Sequence, residues 1–551
     1  MNTNFCEMGP TLASKIPKSN IDYKSFLTSP VQDTFFLKPV SKEDVLKEIL
    51  KLNHNKSAGP DGFTPKIVQT CAYVLFEPLT YIFNKSIQMG IYPDFFKLAK
   101  VLPIYKSKTK SDPSNYRPIS LLNCFNKIFE KLINKQLVTF IKKNEILYKY
   151  QYAFREGYSQ ALALLEMTDN IKKEIDLGKY VATLFIDLKK AFDTVNHTIL
   201  LEKLHYYGFR GHCNDFIRSY LSNRKQFVHC NGTNSEIMNI DCGVPQGSVL
   251  GPTLFLLYVN DMYKCIEHED LKLFADDTIC SSSDKNLNNV FEKMRVNIGK
   301  MKQWFDANKL TLNLTKTSYS IFHSIAKTIS EEFDTMEFCG TEIKRNNSTV
   351  YLGLTIDEVL SWTHHVDNLI TSLKKYFSLF YQLRNAIPSK MKMQIFHAYV
   401  YSKISYGLHC YWFMNKVTKK KTQVICNKLL KTLMKKDMDY STNKLYKEYK
   451  LLQLDDMHKF LILQFVHKSM YATENTPEHF KAYYTQNVTT HNVNVRDNLL
   501  VKIPRTKTEM GTKCIYWYGA TLWNKLPYKI RSQNELLEFK RDLKEYMLSK
   551  Y

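Results

Sequence analysis

Two short blocks constrain the fold more than anything else in this 551-residue chain. Val181-Ala182-Thr183-Leu184-Phe185-Ile186 is a near-continuous apolar run ending at Asp187, which predicts a buried strand that delivers a carboxylate at its carboxyl end. Lys272-Leu273-Phe274-Ala275-Asp276-Asp277-Thr278-Ile279-Cys280 sets an Asp-Asp pair between two apolar runs, the pattern of a tight hairpin. Adjacent side chains of a regular strand face opposite sides, whereas a tight turn lets both approach one point. Three carboxylates brought to one sheet edge can hold two divalent cations, an arrangement suited to in-line phosphoryl displacement. Taken alone, an Asp-Asp pair is also what an exposed hairpin tip looks like.

The rest of the chain reads as a mixed α/β protein. Val45, Ile49 and Leu52 recur at helical spacing behind Ser41 and run into the turn-rich loop Ser57 to Phe63. Leu122, Phe125, Phe129, Leu132, Ile133, Leu137 and Ile141 form one apolar stripe of a longer helix, with Lys127, Lys131, Lys135 and Lys142 around it. Residues 161–177 form another helix, closed by Gly178. Helical periodicity returns over 287–310, strands are predicted over 311–322 and 351–356, and 362–434 is helical and lysine-rich. The first thirty residues hold Pro10, Pro17, Ser19 and Pro30 but no apolar core of a signal peptide, and predict a linker or the torn edge of a longer chain.

Lys and Arg number 77 against 53 Asp and Glu, a formal net charge of +24. Such a surplus points to a polyanionic partner or to general solubility, and motifs must decide between them. The 44% apolar and 24% charged residues are close to ordinary globular usage and argue against wholesale disorder. Twelve cysteines spread from Cys6 to Cys514 without any C-x-x-C pair, so zinc-ribbon and zinc-knuckle spacings are absent and the thiols read as reduced and structural. No apolar run approaches the roughly 20 residues that span a bilayer, so a soluble intracellular protein with no membrane partner is expected.

Four blocks, in one order, resemble the reverse transcriptases of non-LTR (LINE-type, Jockey-like) retrotransposons. They are Asn115-Tyr116-Arg117-Pro118-Ile119-Ser120-Leu121-Leu122, Phe185-Ile186-Asp187-Leu188-Lys189-Lys190-Ala191-Phe192-Asp193, Gly243-Val244-Pro245-Gln246-Gly247-Ser248 and Phe274-Ala275-Asp276-Asp277. The loop 57–63, the strand region 310–322 and the segment 351–356 are similar to further blocks of that family, so the likeness spans residues 45–440. It implies a right-hand polymerase with fingers, a palm built on a mainly antiparallel sheet with helices, and a helical thumb. The expected division is a linker or truncated edge over 1–40, an N-terminal extension of the fingers over 41–83, the polymerase domain over 84–356, the thumb over 357–440 and a C-terminal region of unknown role over 441–551.

The resemblance makes Asp187, Asp276 and Asp277 the catalytic carboxylates and ligands of two Mg²⁺ ions, with Mn²⁺ as a possible substitute, and puts the backbone of Leu188 near them. Phe192 is implied as the ring that excludes a 2′-hydroxyl and so selects dNTPs, although a core aromatic would look the same in composition. Arg117 is implied to clamp the triphosphate, a task suited to a planar, always charged fork. Lys106 adds a second cation, with Lys100, Lys108 and Lys110 as competitors. Gln246 and Gly247 are implied to position the nucleotide, against the alternative of a plain Pro-Gly turn. Lys316 aligns with a lysine implied to protonate the leaving pyrophosphate, and reads equally as a surface lysine. Leu352 and Gly353 are implied to seat the primer end, as any Leu-Gly turn could.

Two positions depart from the family pattern: Ala153 stands where glycine is usual, and Gln160 where threonine is usual. The implied activity is RNA-directed DNA polymerisation on template RNA with a DNA primer or nicked target DNA, in the nucleus and in cytoplasmic ribonucleoprotein. The rival is a decayed or domesticated copy that binds RNA without polymerising. An intron maturase would need a splicing domain after the thumb, and a viral RNA polymerase is disfavoured by Phe192. Oligomeric state is not legible in the sequence.

Overall fold

The computed structural model describes residues 1–17, 19–106, 109–266, 271–471, 476–485 and 498–551, so Lys108 lies outside the described residues. The architecture is mixed α/β. Its strands run, in chain order, β1 (Leu98–Tyr105), β2 (Tyr116–Leu121), β3 (Tyr180–Ile186), β4 (Arg224–Cys230), β5 (Thr233–Asn234), β6 (Met238–Ile240), β7 (Leu271–Phe274), β8 (Asp277–Asp284), β9 (Ser318–Phe322), β10 (Thr335–Phe338), β11 (Thr341–Lys344), β12 (Ser348–Tyr351) and β13 (Leu354–Asp357). One sheet has the order β2-β1-β4-β5 with β6 also on β4; another has the order β7-β8-β3-β9; β10-β11 and β12-β13 are hairpins. No helix among the described residues is long and apolar enough to cross a membrane.

Two compact units divide the chain. The first comprises Met1–Phe154, Ile186–Thr278 and Val296–Thr317. Its sheet pairs β1 with β2 antiparallel, Ile104 opposite Arg117, and β1 with β4 parallel, Val101 opposite Val228. The helix Cys124–Lys143 buries Phe129, Leu132, Ile133, Leu137 and Ile141 of the predicted apolar stripe together with Ile128, while Phe125 is half-buried and Leu122 precedes the helix. Leu250–Val259 is apolar all round, and nine of its ten residues are buried, as a helix without a polar face must be. Beneath it Lys203 and Asp261 form an ion pair at 2.6 Å with both side chains wholly buried. The Lys203 ammonium also donates to Tyr258 O and sits over the Tyr258 and Trp304 rings, so its positive charge is met on several sides.

The opening segment differs from the expected linker. Asn2–Ser14 is a helix with Pro10 inside it. Phe5 packs with Val101 and Val228, flanked by Met8 and Tyr116. A proline in a helix interior removes one backbone bond; burial of Phe5 offsets that loss, and no local pattern in so polar a segment announces it.

The second unit comprises Arg155–Phe185, Ile279–Arg295 and Ser318–Tyr551. Here β3 pairs antiparallel with β9, Val181 opposite Phe322 and Phe185 opposite Ser318. The helix Gln160–Asp176 buries polar groups as well as apolar ones, and its carboxylates receive the chain's final segment. Asp176 accepts from Lys507 N at 3.1 Å, from Thr508 N at 2.6 Å and from the Thr508 hydroxyl at 2.8 Å, ahead of the helix Glu509–Thr512. Asp169 accepts at 2.6 Å from the amide of Ile515, the first residue of the helix Ile515–Asn524. Asp169 thus satisfies the first N–H of a helix, which has no partner within that helix, while Asp176 takes the N–H groups of the two residues that lead into the other. The fit around Asp176 is tight: a Cβ on Gly511 would lie 2.5 Å from its Cγ.

Replacing Asp176 by Ala leaves these part-buried donors without their acceptor and is expected to cost about 1–2 kcal/mol, read by urea denaturation, with Asp176→Asn intermediate because it keeps one acceptor. A loss below about 0.5 kcal/mol for the Ala variant would show that the carboxylate does not hold the segment.

Candidate active site

Asp187 follows β3, and the chain returning over Leu310–Thr317 is laid against it. Lys189 N donates to Thr311 O at 2.9 Å, and Asn313 N to Asp187 O at 2.8 Å. Leu188, buried, is bridged to Leu312. The Asn313 side chain closes the contact, donating from Nδ2 to Asp187 Oδ2 at 2.6 Å, while Lys316 Nζ sits 3.4 Å from the same oxygen. The first part of the region predicted as strand over 311–322 is therefore this returning loop, and the strand itself starts at Ser318.

Asp276 and Asp277 sit at the turn between β7 and β8. Ala275 takes a left-handed φ of 55°, which brings the two runs together as a tight hairpin. Gln151 holds that turn: its Oε1 accepts from Ala275 N at 3.1 Å and from Ala153 N at 3.0 Å, while Tyr152 N donates to Leu273 O at 2.8 Å. Ala153, at the position where glycine is usual, keeps a negative φ, and the left-handed residue is its neighbour Phe154. A glycine is not required there.

The carboxylates act on one another. Burial raises the Asp276 carboxyl, and the Asp187 charge adds to it, while Arg117 and Lys106 oppose the rise. Asp277 is pushed up to about 6, first by burial and then by Asp276 and Asp187, with Lys316 and Lys106 opposing. The cations are likewise crowded: burial, then Lys316 and Arg117, hold Lys106 below its ordinary value. Lys190 joins this group, lowered by burial and by Arg117 and Lys316 against the opposing charge of Asp193. Its Nζ donates to Tyr116 O at 3.1 Å. Four cations, Lys106, Arg117, Lys190 and Lys316, thus share one field with three carboxylates.

Among the described residues, no three His, Cys, Asp or Glu side chains converge tightly enough to chelate a metal ion as they stand. The donor chemistry nevertheless fits a divalent cation. Asp187, Asp276 and Asp277 are hard oxygen ligands, and Asp276 and Asp277 are raised first by burial and then by their carboxylate neighbours, against the partial opposition of Arg117, Lys106 and Lys316.

Of the expected nucleotide contacts, Lys106 and Arg117 act on the Asp276 carboxyl, and Gln246, Gly247 and Phe192 are held by contacts within the first unit. Arg117 lies on β2 and is exposed; three residues on, Ser120 N donates to Gln246 O at 2.8 Å. Gly247 has φ +122°, and a Cβ there would lie 2.5 Å from Ser120 O, so the close approach requires glycine. Val244 N donates to Phe192 O at 2.8 Å. The Phe192 ring is stacked on Phe255, with centroids 4.3 Å apart, and meets Phe154 edge-on. Leu352 and Gly353 belong to the second unit, where they form the two-residue turn of the β12-β13 hairpin with φ of 43° and 81°, as a type I′ turn demands. The Tyr406 hydroxyl donates to Leu352 O and, at 3.3 Å, to Gln160 Oε1. Asn313, Lys190 and Asp193 escaped sequence reasoning; each matters through a partner far away in the chain, and only the blocks that contain Lys190 and Asp193 hinted at them.

Residues 106–356 match the family model described as reverse transcriptase (RNA-dependent DNA polymerase). That stretch contains every residue named in this field. The chain is 27% identical over 444 residues to the RNA-directed DNA polymerase from mobile element jockey of Drosophila melanogaster, covering 79% of this chain and 48% of that protein. It is 28% identical over 383 residues to the probable RNA-directed DNA polymerase from transposon BS of the same species, covering 67% and 41%. A Pol polyprotein from the type-1 retrotransposable element R1 of Bradysia coprophila is 28% identical over 241 residues, 43% of this chain and 23% of that protein. The similarity is thus to reverse transcriptases of non-LTR retrotransposons as a group, with jockey as one among several, and the chain spans about half the length of the first two relatives.

In the cation-free protein Asp277 is expected to titrate near pH 6, followed by ¹³C NMR of the carboxyl carbons. Asp187→Asn removes a like charge and should lower that midpoint; an unchanged or higher midpoint would mean that the carboxylates do not share a field.

Proposed function

We propose that this chain is an RNA-directed DNA polymerase of a non-LTR retrotransposon, extending a DNA primer on an RNA template. The observation that carries the reading is the shared field of Asp187, Asp276 and Asp277 with Lys106, Arg117 and Lys316, inside the stretch that matches the reverse transcriptase family. Carboxylates serve a divalent cation and the surrounding cations serve a triphosphate, and few other ligands need both at one place.

The reaction joins the primer 3′-oxygen to the α-phosphorus of a dNTP and breaks the bond to pyrophosphate. Magnesium ions held by Asp187, Asp276 and Asp277 would supply activation of the attacking hydroxyl and charge neutralisation at the leaving oxygen. Arg117 and Lys106 bind the triphosphate oxygens, Arg117 through a planar fork. Lys316 carries the proton that the leaving pyrophosphate oxygen takes up. Its ammonium, 3.4 Å from Asp187, is near enough to the carboxylates to serve there. Phe192, wedged against Phe255 and Phe154, excludes a 2′-hydroxyl, and Gln246 and Gly247 set the nucleotide against the template. Leu352 and Gly353 seat the primer end.

In this reading residues 1–40 are an N-terminal edge and 41–83 an extension of the fingers. Residues 84–356 carry fingers and palm and 357–440 the thumb, whose lysines meet template-primer phosphates without regard to sequence. Residues 441–551 form a C-terminal region to which this reading assigns no role. The working places are the nucleus and a cytoplasmic ribonucleoprotein.

Purified protein with Mg²⁺ and dNTPs is expected to extend a DNA primer on an RNA template, and the Asp276→Ala, Asp277→Ala double variant to lose extension by on the order of a thousandfold. Tight binding of primed template without extension by the unaltered protein would sink the catalytic reading and leave an RNA-binding one. Phe192→Val is expected to raise rNTP use relative to dNTP by at least about tenfold, measured as a ratio of kcat/KM; an unchanged ratio would return Phe192 to the core.

A further inference from the structure

The segment Gly243–Gly247 is tied to two other parts of the first unit by its main chain. Gly243 N donates to Val195 O and Val244 N to Phe192 O, both at 2.8 Å, and Ser120 N donates to Gln246 O at 2.8 Å. One side-chain contact completes the frame. Gln246 Nε2 donates to both carboxylate oxygens of Asp193, at 2.9 and 3.0 Å. Neither the motif comparison nor the reaction assigns Asp193 any task.

An amide side chain is ambivalent, because its NH₂ only donates and its carbonyl only accepts. A carboxylate removes the ambiguity, since it can only accept. With the NH₂ committed to Asp193, the uncommitted end of Gln246 is Oε1. The Asp193 main chain has little room to retreat: a Cβ on Gly243 would meet Asp193 O at 2.8 Å, and one on Gly9 would meet it at 2.5 Å. The Cys242 thiol also donates to Asp193 O at 3.4 Å. Burial raises the Asp193 carboxyl to about 6, and the Gln246 bond and Lys190 oppose the rise, so at neutral pH the acceptor-only form prevails.

We propose that Asp193 is a positioning residue of the nucleotide site, which fixes the Gln246 amide so that its carbonyl oxygen, an acceptor, is the end offered to the bound deoxynucleoside triphosphate. The inference rests on the reading of Gln246 as a nucleotide contact. Its consequence is selectivity for donor groups on the nucleotide, obtained without any contact between Asp193 and the substrate.

Steady-state kinetics of the full chain with Asp193→Asn, Gln246→Glu and the pair of changes together test it. In Asp193→Asn the new amide can donate as well as accept, so Gln246 can turn over. KM for dNTP is then expected to rise about tenfold while kcat changes less than about threefold, with primer–template affinity unaltered. In the double variant the amide introduced at position 193 donates to the carboxylate introduced at position 246, whose second oxygen stays outward as an acceptor. KM should then return to within about threefold of the unaltered protein. A KM insensitive to Asp193→Asn, or one that the pairing does not restore although both variants melt at the unaltered temperature, would overturn the proposal. A readout free of activity is the Gln246 side-chain NH₂ signal in protein labelled with ¹⁵N-glutamine, assigned by its loss in Gln246→Glu. Slow solvent exchange of that signal, lost in Asp193→Asn, supports the locked amide; fast exchange in the unaltered protein overturns it. If the amide is locked but no primer is extended, the polymerase reading fails while the orientation of Gln246 by Asp193 stands.

Discussion

Like charges held close together in partial burial repel, and much of the first unit answers that repulsion among Asp187, Asp276 and Asp277. The response has two parts. One is counter-charge, from Lys316 on the nearest carboxylate and from Lys106 and Arg117 farther out. The other is rigidity, because carboxylates free to separate would do so. Gln151 clamps the turn that carries Asp276 and Asp277, and Asn313 clamps Asp187 from both its main chain and its side chain. Uncharged amides do this holding, so it adds no further charge to the field of the carboxylates.

Much of this arrangement could be read in the chain itself. A buried strand ending in Asp187, a hairpin carrying two aspartates, and an amphipathic helix over 124–143 each announce themselves through local periodicity, and the structure contains all three. What escaped reading is what local patterns do not encode. Asn313 meets Asp187 across 126 positions of chain, and Gln246 meets Asp193 across 53. Polar residues of this kind look like any loop composition until the fold brings them together. The helix Asn2–Ser14 escaped for a different reason: its one strongly buried aromatic, Phe5, is matched by Val101 and Val228 rather than by neighbours in the chain. Tertiary burial overrides weak local propensity in such a segment.

The Ala153 position illustrates how a departure from a family pattern is absorbed. The left-handed backbone falls on Phe154 rather than on Ala153, and Ala153 N still reaches Gln151. The hairpin with the paired aspartates is therefore held by the same amide side chain without a glycine beside it. Motif spelling and motif geometry separate at this point, and the geometry is what the chemistry uses.

The carboxylates of the helix Gln160–Asp176 have a consequence for how the chain comes into being. Asp169 and Asp176 find their hydrogen-bond partners only at residues 507–515, more than three hundred positions later. During synthesis from the amino end, that helix must wait in water, its acceptors hydrated, until residues 507–515 have left the ribosome. The second unit is therefore closed late, and a chain that stops before residue 507 leaves Asp169 and Asp176 without these partners.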